Sequence, residues 1–290
     1  VLREADAGAL ETFLIRHADS SMFLRANARA GGLDDRGQPY QATYAAALDE
    51  ERIVAVAAHT WSGMVLVQAP TRLEAVVRMT VAHSHRRVAG INGPWSQVVA
   101  ARAALALHRC PALLDSHEIL YALELARLLV PEPLASGRLH CRRPRRDEID
   151  LIAGWRVAYA RETRSRPDTP ALPISSRQET ERLHAQGRAF VVAGPGDVPL
   201  AFSAFNAVLP DAVQIGGVWT PPAWRGRGYA RAVVAGSLLE ARAQGVMRGV
   251  LFTAEDNRSA QHAYEALGFQ VVGDYGLLGF YEAQTVRVVP

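Results

Sequence analysis

The sequence predicts two α/β domains in tandem, each a mixed, mostly antiparallel sheet flanked by helices on both faces. Three observations predict it. The 290 residues suffice for about two domains of ordinary size. Both halves run through the same order of elements, β-β-β-α-β-α-β. In the second half an apolar strand passes through a glycine turn directly into an amphipathic helix, a junction typical of sheets covered by helices.

In the first half, Tyr44–Leu48 and Ile53–Thr60 read as a hairpin around Asp49–Arg52, and Met64–Gln68 as a third strand. A helix is expected from about Thr71 to Arg86. A short strand follows at Val88–Ile91, a helix at Trp95–Leu107 and a late strand at Ile119–Leu125. The division falls near Ser136–Arg146, giving domains at 1–140 and 141–290. Arg142, Arg143, Arg145 and Arg146 surround Pro144 there. Without interleaved aromatics they read as a solvated linker or final strand, or as partners for acidic residues, and nucleic acid is not the expected partner.

In the second half, Arg146–Arg164 and Ser176–Gln186 read as helices. Ala189–Ala193 and Leu200–Ala207 pair across the Gly194-Pro-Gly-Asp197 turn. Val213–Thr220 is the central strand. Tyr229–Gln244 is the main helix, ended by Gly245. Arg248–Thr253 is the next strand and Asn257–Leu267 a helix ended by Gly268. Gln270–Val272 and Leu277–Glu282 are expected to finish this second sheet.

Composition excludes several classes. Hydrophobic residues make up 49% and charged ones 21%, ordinary for a globular chain. No apolar run has the length of a membrane span, and Val1–Asp6 lacks a signal-peptide pattern, so no membrane partner is expected. Two cysteines, Cys110 and Cys141, are too few for a disulfide framework, and a reducing cytoplasm is the expected compartment. The basic residues are all arginine, which with the abundant alanine points to a GC-rich bacterial genome. The chain is expected to be a monomer or homodimer.

The chemistry sits at Arg225-Gly-Arg-Gly-Tyr-Ala-Arg231. Gly226 and Gly228 allow a sharp bend and a close backbone approach. The helix start behind them offers unpaired N–H groups and the positive end of its dipole, which together favour an anion. Arg225, Arg227 and Arg231 add charge, so a phosphate-bearing ligand is expected. The dinucleotide fingerprint fails, because Arg231 stands where its third glycine belongs. A P-loop needs Gly-Lys-Ser/Thr, and the chain contains no lysine.

What remains resembles the GCN5-related N-acetyltransferase (GNAT) family. Arg225-Gly226-Arg227-Gly228-Tyr229-Ala230 matches its Arg/Gln-x-x-Gly-x-Gly/Ala signature. Asn257-x-x-Ala260-x-x-x-Tyr264-x-x-x-Gly268-Phe269 looks like its second signature. The resemblance covers roughly residues 145 to 290. It implies acetyl-CoA as acyl-donor cosubstrate, no metal, and transfer of the acetyl group to a primary amine by direct attack. It places Val218 and Thr220 beside the pantetheine arm, with Trp219 pointing to the opposite face. It lays the pyrophosphate on the backbone from Arg225 to Arg231, through Gly226, Arg227, Gly228, Tyr229 and Ala230. It sets Asn257 near the thiol end and makes Tyr264 the acid that protonates the leaving thiolate. The N–H of Val218 is expected to polarise the thioester carbonyl.

The general base stays open among Glu162, Glu255 and Asp256. Glu162 is the base we assign as catalytic. It shares a helical face with Trp155 and Tyr159, and in the family the first helices border the acceptor. A solvated helix face is the competing reading of Glu162. For Tyr264 it is a buried core aromatic, and for Asn257 a plain N-cap. His83 and His85 lie two apart and do not face each other on a helix, so no metal is expected. The acceptor is expected to be a small-molecule amine or amino-acid-like compound. Arg164 and Arg166 suggest a carboxylate on it. The alternative function is a non-catalytic acyl-CoA-binding sensor or interaction module.

In the first half, the place of the glycine turn reads Gln68-Ala-Pro-Thr-Arg-Leu-Glu74, with a proline and no glycine. We read residues 1–140 as a degenerate GNAT-like domain without cofactor, shaping the acceptor cleft or stabilising the pair. An unrelated α/β domain of similar rhythm is the alternative.

Overall fold

The computed structural model describes residues 1–163 and 166–286. The chain forms two compact units. One comprises residues 1–120 together with the segment from Gly273 onward, and the other residues 121–272. These limits differ from a single cut at 140/141.

The first unit begins with α1 (Ala7–Ile15) and α2 (Met22–Gly31), which the sequence reading did not include. Next come β1 (Ala42–Asp49), β2 (Arg52–Thr60), β3 (Met64–Gln68), α3 (Leu73–Ser84), β4 (Val88–Gly93) and α4 (Trp95–Ala104). Strand β5 (Ala112–Glu124) starts seven residues earlier than expected and carries the chain into the second unit. The β1–β2 and β2–β3 pairs are antiparallel and β3–β4 is parallel. Both sheet faces are covered, so the strands are apolar throughout rather than alternating with polar residues. Ala55, Ala57, Val65 and Val67 pack with Val76, Val77, Val98 and Ala101 from α3 and α4. Val56, Ala58 and Leu66, one position out of phase, pack with Leu10, Phe13, Leu14 and Leu24 from α1 and α2.

The second unit adds α5 (Glu132–Ala135), β6 (His140–Arg142), α6 (Ile149–Thr163), α7 (Ala171–Ala185), β7 (Ala189–Ala193) and β8 (Pro199–Val208). It continues with β9 (Ala212–Trp219), α8 (Tyr229–Ala243), β10 (Arg248–Ala254) and α9 (Arg258–Glu265). Its strands lie in the order β10-β9-β8-β7-β6, with β9–β10 parallel and the other pairs antiparallel. Helix α7 starts five residues before the expected Ser176. Pro173 falls in its first turn, where the missing N–H has no helical role. Arg164, expected to end α6, lies outside the described residues.

The Arg142–Arg146 run is largely paired within the second unit. Arg142 bridges Glu148 and Asp197 at 2.7 Å each, Arg145 bonds the same two carboxylates, and Arg143 pairs with Glu240. Hydrogen bonds from Arg142 and then His140 hold the Asp197 carboxyl down at about 2.

The last strand, β11 (Gln270–Gln284), departs from expectation. Its Gly276–Gly279 stretch pairs antiparallel with Asn92–Gly93 and Gly90–Ile91 of β4 in the first unit. Leu278 and Phe280 join the core around Val88 and Ile91. Leu277–Glu282 therefore completes the first sheet, because its apolar residues are buried there.

Candidate active site

The site is built on β9. Phe202 pairs with Trp219 and Ala204 with Gly216, so β9 takes three steps where β8 takes two. The extra residue is a β-bulge at Gly217, whose φ of +62° suits glycine. The bulge shifts the phase of the strand. Ile215, before it, lies against the same side of Gly249 as Leu238 of α8. Trp219, four residues on, instead packs with Ile152, Trp155 and Leu183 of α6 and α7. Val218 is half-buried.

The parallel ladder of β9 and β10 covers Ala212–Gln214 and Arg248–Val250. Beyond it both strands continue, to Trp219 and Ala254, without further register. The paired register thus ends before the bulge, where the Ile215 carbonyl accepts from the Gln214 side chain at 2.8 Å.

The turn follows at the open end. Gly226 and Gly228 have φ of +76° and +78°. A Cβ on Gly226 would meet no protein atom within 4 Å, so conformation rather than crowding calls for glycine there. Gly228 is the N-cap of α8, and no side chain caps it. The first helical bond runs from the Ala232 N–H to the Gly228 carbonyl at 3.0 Å. The N–H groups of Tyr229, Ala230 and Arg231 thus have no helical acceptor. The Nε of Arg231 and the Oγ1 of Thr220 are enclosed and have no hydrogen-bond partner among the described residues.

Arg225 is anchored rather than extended. Its Nε donates to the Thr220 carbonyl at 3.1 Å and its Nη2 to Glu162 at 2.8 Å. Its guanidinium carbon lies 4.7 Å from the Trp219 ring centroid. The helical face formed by Trp155, Tyr159 and Glu162 meets this segment rung by rung. Trp155 packs edge-on against Trp224 at 6.3 Å, Tyr159 against Trp219 at 6.2 Å, and Glu162 pairs with Arg225. That stripe clamps the turn.

On α9, the Asn257 Oδ1 accepts the Ala260 N–H at 3.2 Å as an N-cap, and the residue is exposed. Tyr264 is buried between Tyr121 and Phe269, with ring centroids 6.4 and 6.1 Å away. Burial, then the hydrogen bond to Glu265, raises the Tyr121 pKa. Glu255, Asp256, Arg227 and Arg166 are exposed. Among the described residues no group of His, Cys, Asp or Glu can hold a metal ion, and no helix is long and apolar enough to cross a membrane.

Two charged residues escaped the sequence reading. Arg156 of α6 sits in register with the buried Ile152 and Ala160, and its Nη1 reaches the bulge at Gly217. Glu179 of α7 lies 3.8 Å from it. The available signal was the i, i+4, i+8 spacing that puts an arginine on the buried stripe of α6.

Residues 152–269 match the model of the acetyltransferase (GNAT) family, and this segment is a GNAT domain. The family implies acyl transfer from acetyl-CoA. No curated protein matches the chain. Among solved structures, the chain is similar to a GCN5-related N-acetyltransferase from Kribbella flavida, at 17% identity over 91% of this chain and 95% of that one, TM-score 0.56. A GCN5-related N-acetyltransferase from Sphaerobacter thermophilus is 15% identical over 100% and 97%, TM-score 0.56. A tandem GNAT protein from the clavulanic acid biosynthesis pathway is 14% identical over 99% and 98%, TM-score 0.52. These likenesses show the fold, two GNAT-type sheets in one chain.

Proposed function

We propose that the second unit is an N-acetyltransferase that moves the acetyl group of acetyl-CoA to a primary amine by direct attack. The observation that carries this reading is the turn at Gly226 and Gly228, with its uncapped helix start, following the strand whose register with β10 ends at Gln214. The Arg231 Nε and Thr220 Oγ1, enclosed and without a partner among the described residues, fit a ligand rich in acceptor oxygens.

In this reading the N–H groups of Tyr229, Ala230 and Arg231, with Gly226, Arg227 and Gly228, hold the pyrophosphate. Arg225 keeps the turn in place through Glu162, Trp219 and Thr220. Val218 and Thr220 line the pantetheine arm, and Asn257 meets its thiol end. Bound there, acetyl-CoA supplies a thioester whose carbonyl carbon accepts the amine lone pair as its C–S bond breaks. The Val218 N–H stabilises the developing oxyanion. Tyr264 gives its phenolic proton to the departing sulfur. The amine proton leaves to water. Glu162, an exposed ion-pair partner, serves position rather than proton transfer.

In this reading the first unit binds no cofactor, because its corresponding connection is shorter. Residues 69–72 alone join β3 to α3, against 220–228 between β9 and α8. The Ala69 N–H at the end of β3 is taken by Gln97 Oε1 at 2.6 Å. Calorimetric titration with acetyl-CoA tests both statements. One site per chain is expected, with thiol release once a primary amine is supplied. Absence of binding overturns the reading. Binding without turnover across a broad amine panel points to a non-catalytic acyl-CoA module.

A further inference from the structure

Arg156 is a poorly compensated cation next to the reacting strand. Its side chain keeps 19% of its surface exposed, so it is largely enclosed yet reachable. Its Nε is fully enclosed without a hydrogen-bond partner among the described residues. Glu179 lies 3.8 Å from Nη2, beyond hydrogen-bond length. The face of the Phe202 ring, 5.9 Å from the guanidinium carbon, offers only a weak contact.

Glu179 is already engaged elsewhere. Arg182 grips it with both Nε and Nη2, at 3.1 and 2.7 Å. Arg166 also acts on both Arg156 and Glu179. Two guanidinium groups therefore share one carboxylate, a local excess of positive charge. Burial is the main cause that lowers the Arg156 pKa, and Arg166 and Arg182 lower it further against Glu179. An enclosed charge left this short of partners is costly to a fold. A ligand anion would complete it.

Position says which ligand. The Arg156 Nη1 lies 3.4 Å from where a Cβ on Gly217 would stand. Gly217 is the bulge residue, one before Val218. The guanidinium thus sits beside the point where acetyl transfer is proposed, on the α6–α7 side. The pyrophosphate cradle is at the start of α8, so Arg156 is placed for the amine acceptor and not for the donor's phosphates.

We propose that Arg156 is the specificity-determining residue of this site and that it binds a carboxylate on the amine acceptor. The planar fork of the guanidinium matches the two carboxylate oxygens. The inference rests on the acetyltransferase reading above.

The test pairs amines that differ only in the acid group: amino acids against their amides and their decarboxylated amines. Turnover is read as thiol release from acetyl-CoA, and acetyl-CoA affinity is measured separately by calorimetry. For wild type we expect kcat/KM at least tenfold higher for the carboxylate-bearing members. Arg156→Gln should bring each pair within about threefold by raising the KM of the acid members, with acetyl-CoA affinity unchanged. Arg156→Lys should keep part of the preference. Thermal unfolding separates recognition from structure. Loss of a poorly compensated cation should leave the midpoint of Arg156→Gln level or raised, whereas a structural arginine would lower it. Equal use of acids and amides by wild type overturns the proposal without any variant. So does acetyl-CoA binding with no turnover of any acid, or a preference that survives Arg156→Gln. Failure to bind acetyl-CoA would instead show that the acetyltransferase reading had failed.

Discussion

Glu162 and Arg225 form an ion pair at 2.8 Å that ties the last turn of α6 to the loop before α8. Both side chains are substantially exposed, so the pair itself contributes little to stability. Its effect is to fix where the glycine turn begins. Glu162→Gln should therefore lower acetyl-CoA affinity a few-fold and leave the pH profile of kcat in place. A general base would cost ~10²–10⁴ in rate and move that profile. Steady-state kinetics from pH 6 to 9 distinguish the two.

Gly228 has φ of +78° and caps α8. Gly228→Val should impose strain of ~1–2 kcal/mol and place a side chain over the exposed helix start. We expect at least tenfold weaker acetyl-CoA binding by calorimetry, with a chain that still folds. Undiminished affinity would mean that the α8 terminus is not the anion site.

Tyr264 is held by its ring, between Tyr121 and Phe269. Tyr264→Phe keeps that packing and removes the phenolic proton. Turnover should fall by ~10² or more, in line with loss of a general acid, while the unfolding midpoint changes little. An unaltered rate would leave Tyr264 a core residue alone.

The first unit should weaken in mild acid. His59 is buried, and that burial brings its pKa down to about 4. Its Nε2 lies 3.2 Å from the Gly63 carbonyl, which can only accept, so Nε2 carries the proton of the neutral ring. The unfolded ring takes up a proton from about 6.5 downward, the folded ring only near 4. Stability is therefore lost as pH falls between those values, up to about 3 kcal/mol. Asp35 adds a second loss at lower pH. Its hydrogen bond from Arg86 holds it at about 2, so its contribution fades as pH falls from about 4 to 2. Urea unfolding at pH 7.5 and 5 should show the first step, and His59→Gln should flatten it.

The sequence made the local features legible and the distant ones not. The Arg225–Ala230 turn and the Gly194–Asp197 hairpin are set by glycines within a few residues, and both stand where they were read. The partner of Leu277–Glu282 was not legible. An apolar strand fits any sheet with an open edge, and its neighbour β4 lies far away in sequence. Likewise Trp155, Tyr159 and Glu162 were visible as one face of a helix, but nothing local told that Trp224, Trp219 and Arg225 would cover it. Arg156 was hidden in plain composition, because a single arginine on an apolar stripe reads as an interruption until the bulge at Gly217 is seen beside it.

The placement of β11 reverses the usual order of maturation. A chain emerging from the ribosome generally folds its leading domain first. Here the second unit has all its residues once Val272 is out, while the first still lacks the strand that pairs with β4. During that interval the edge of β4 is open, the kind of edge that recruits the wrong chain. The part of the protein made first is thus the part whose sheet is finished last.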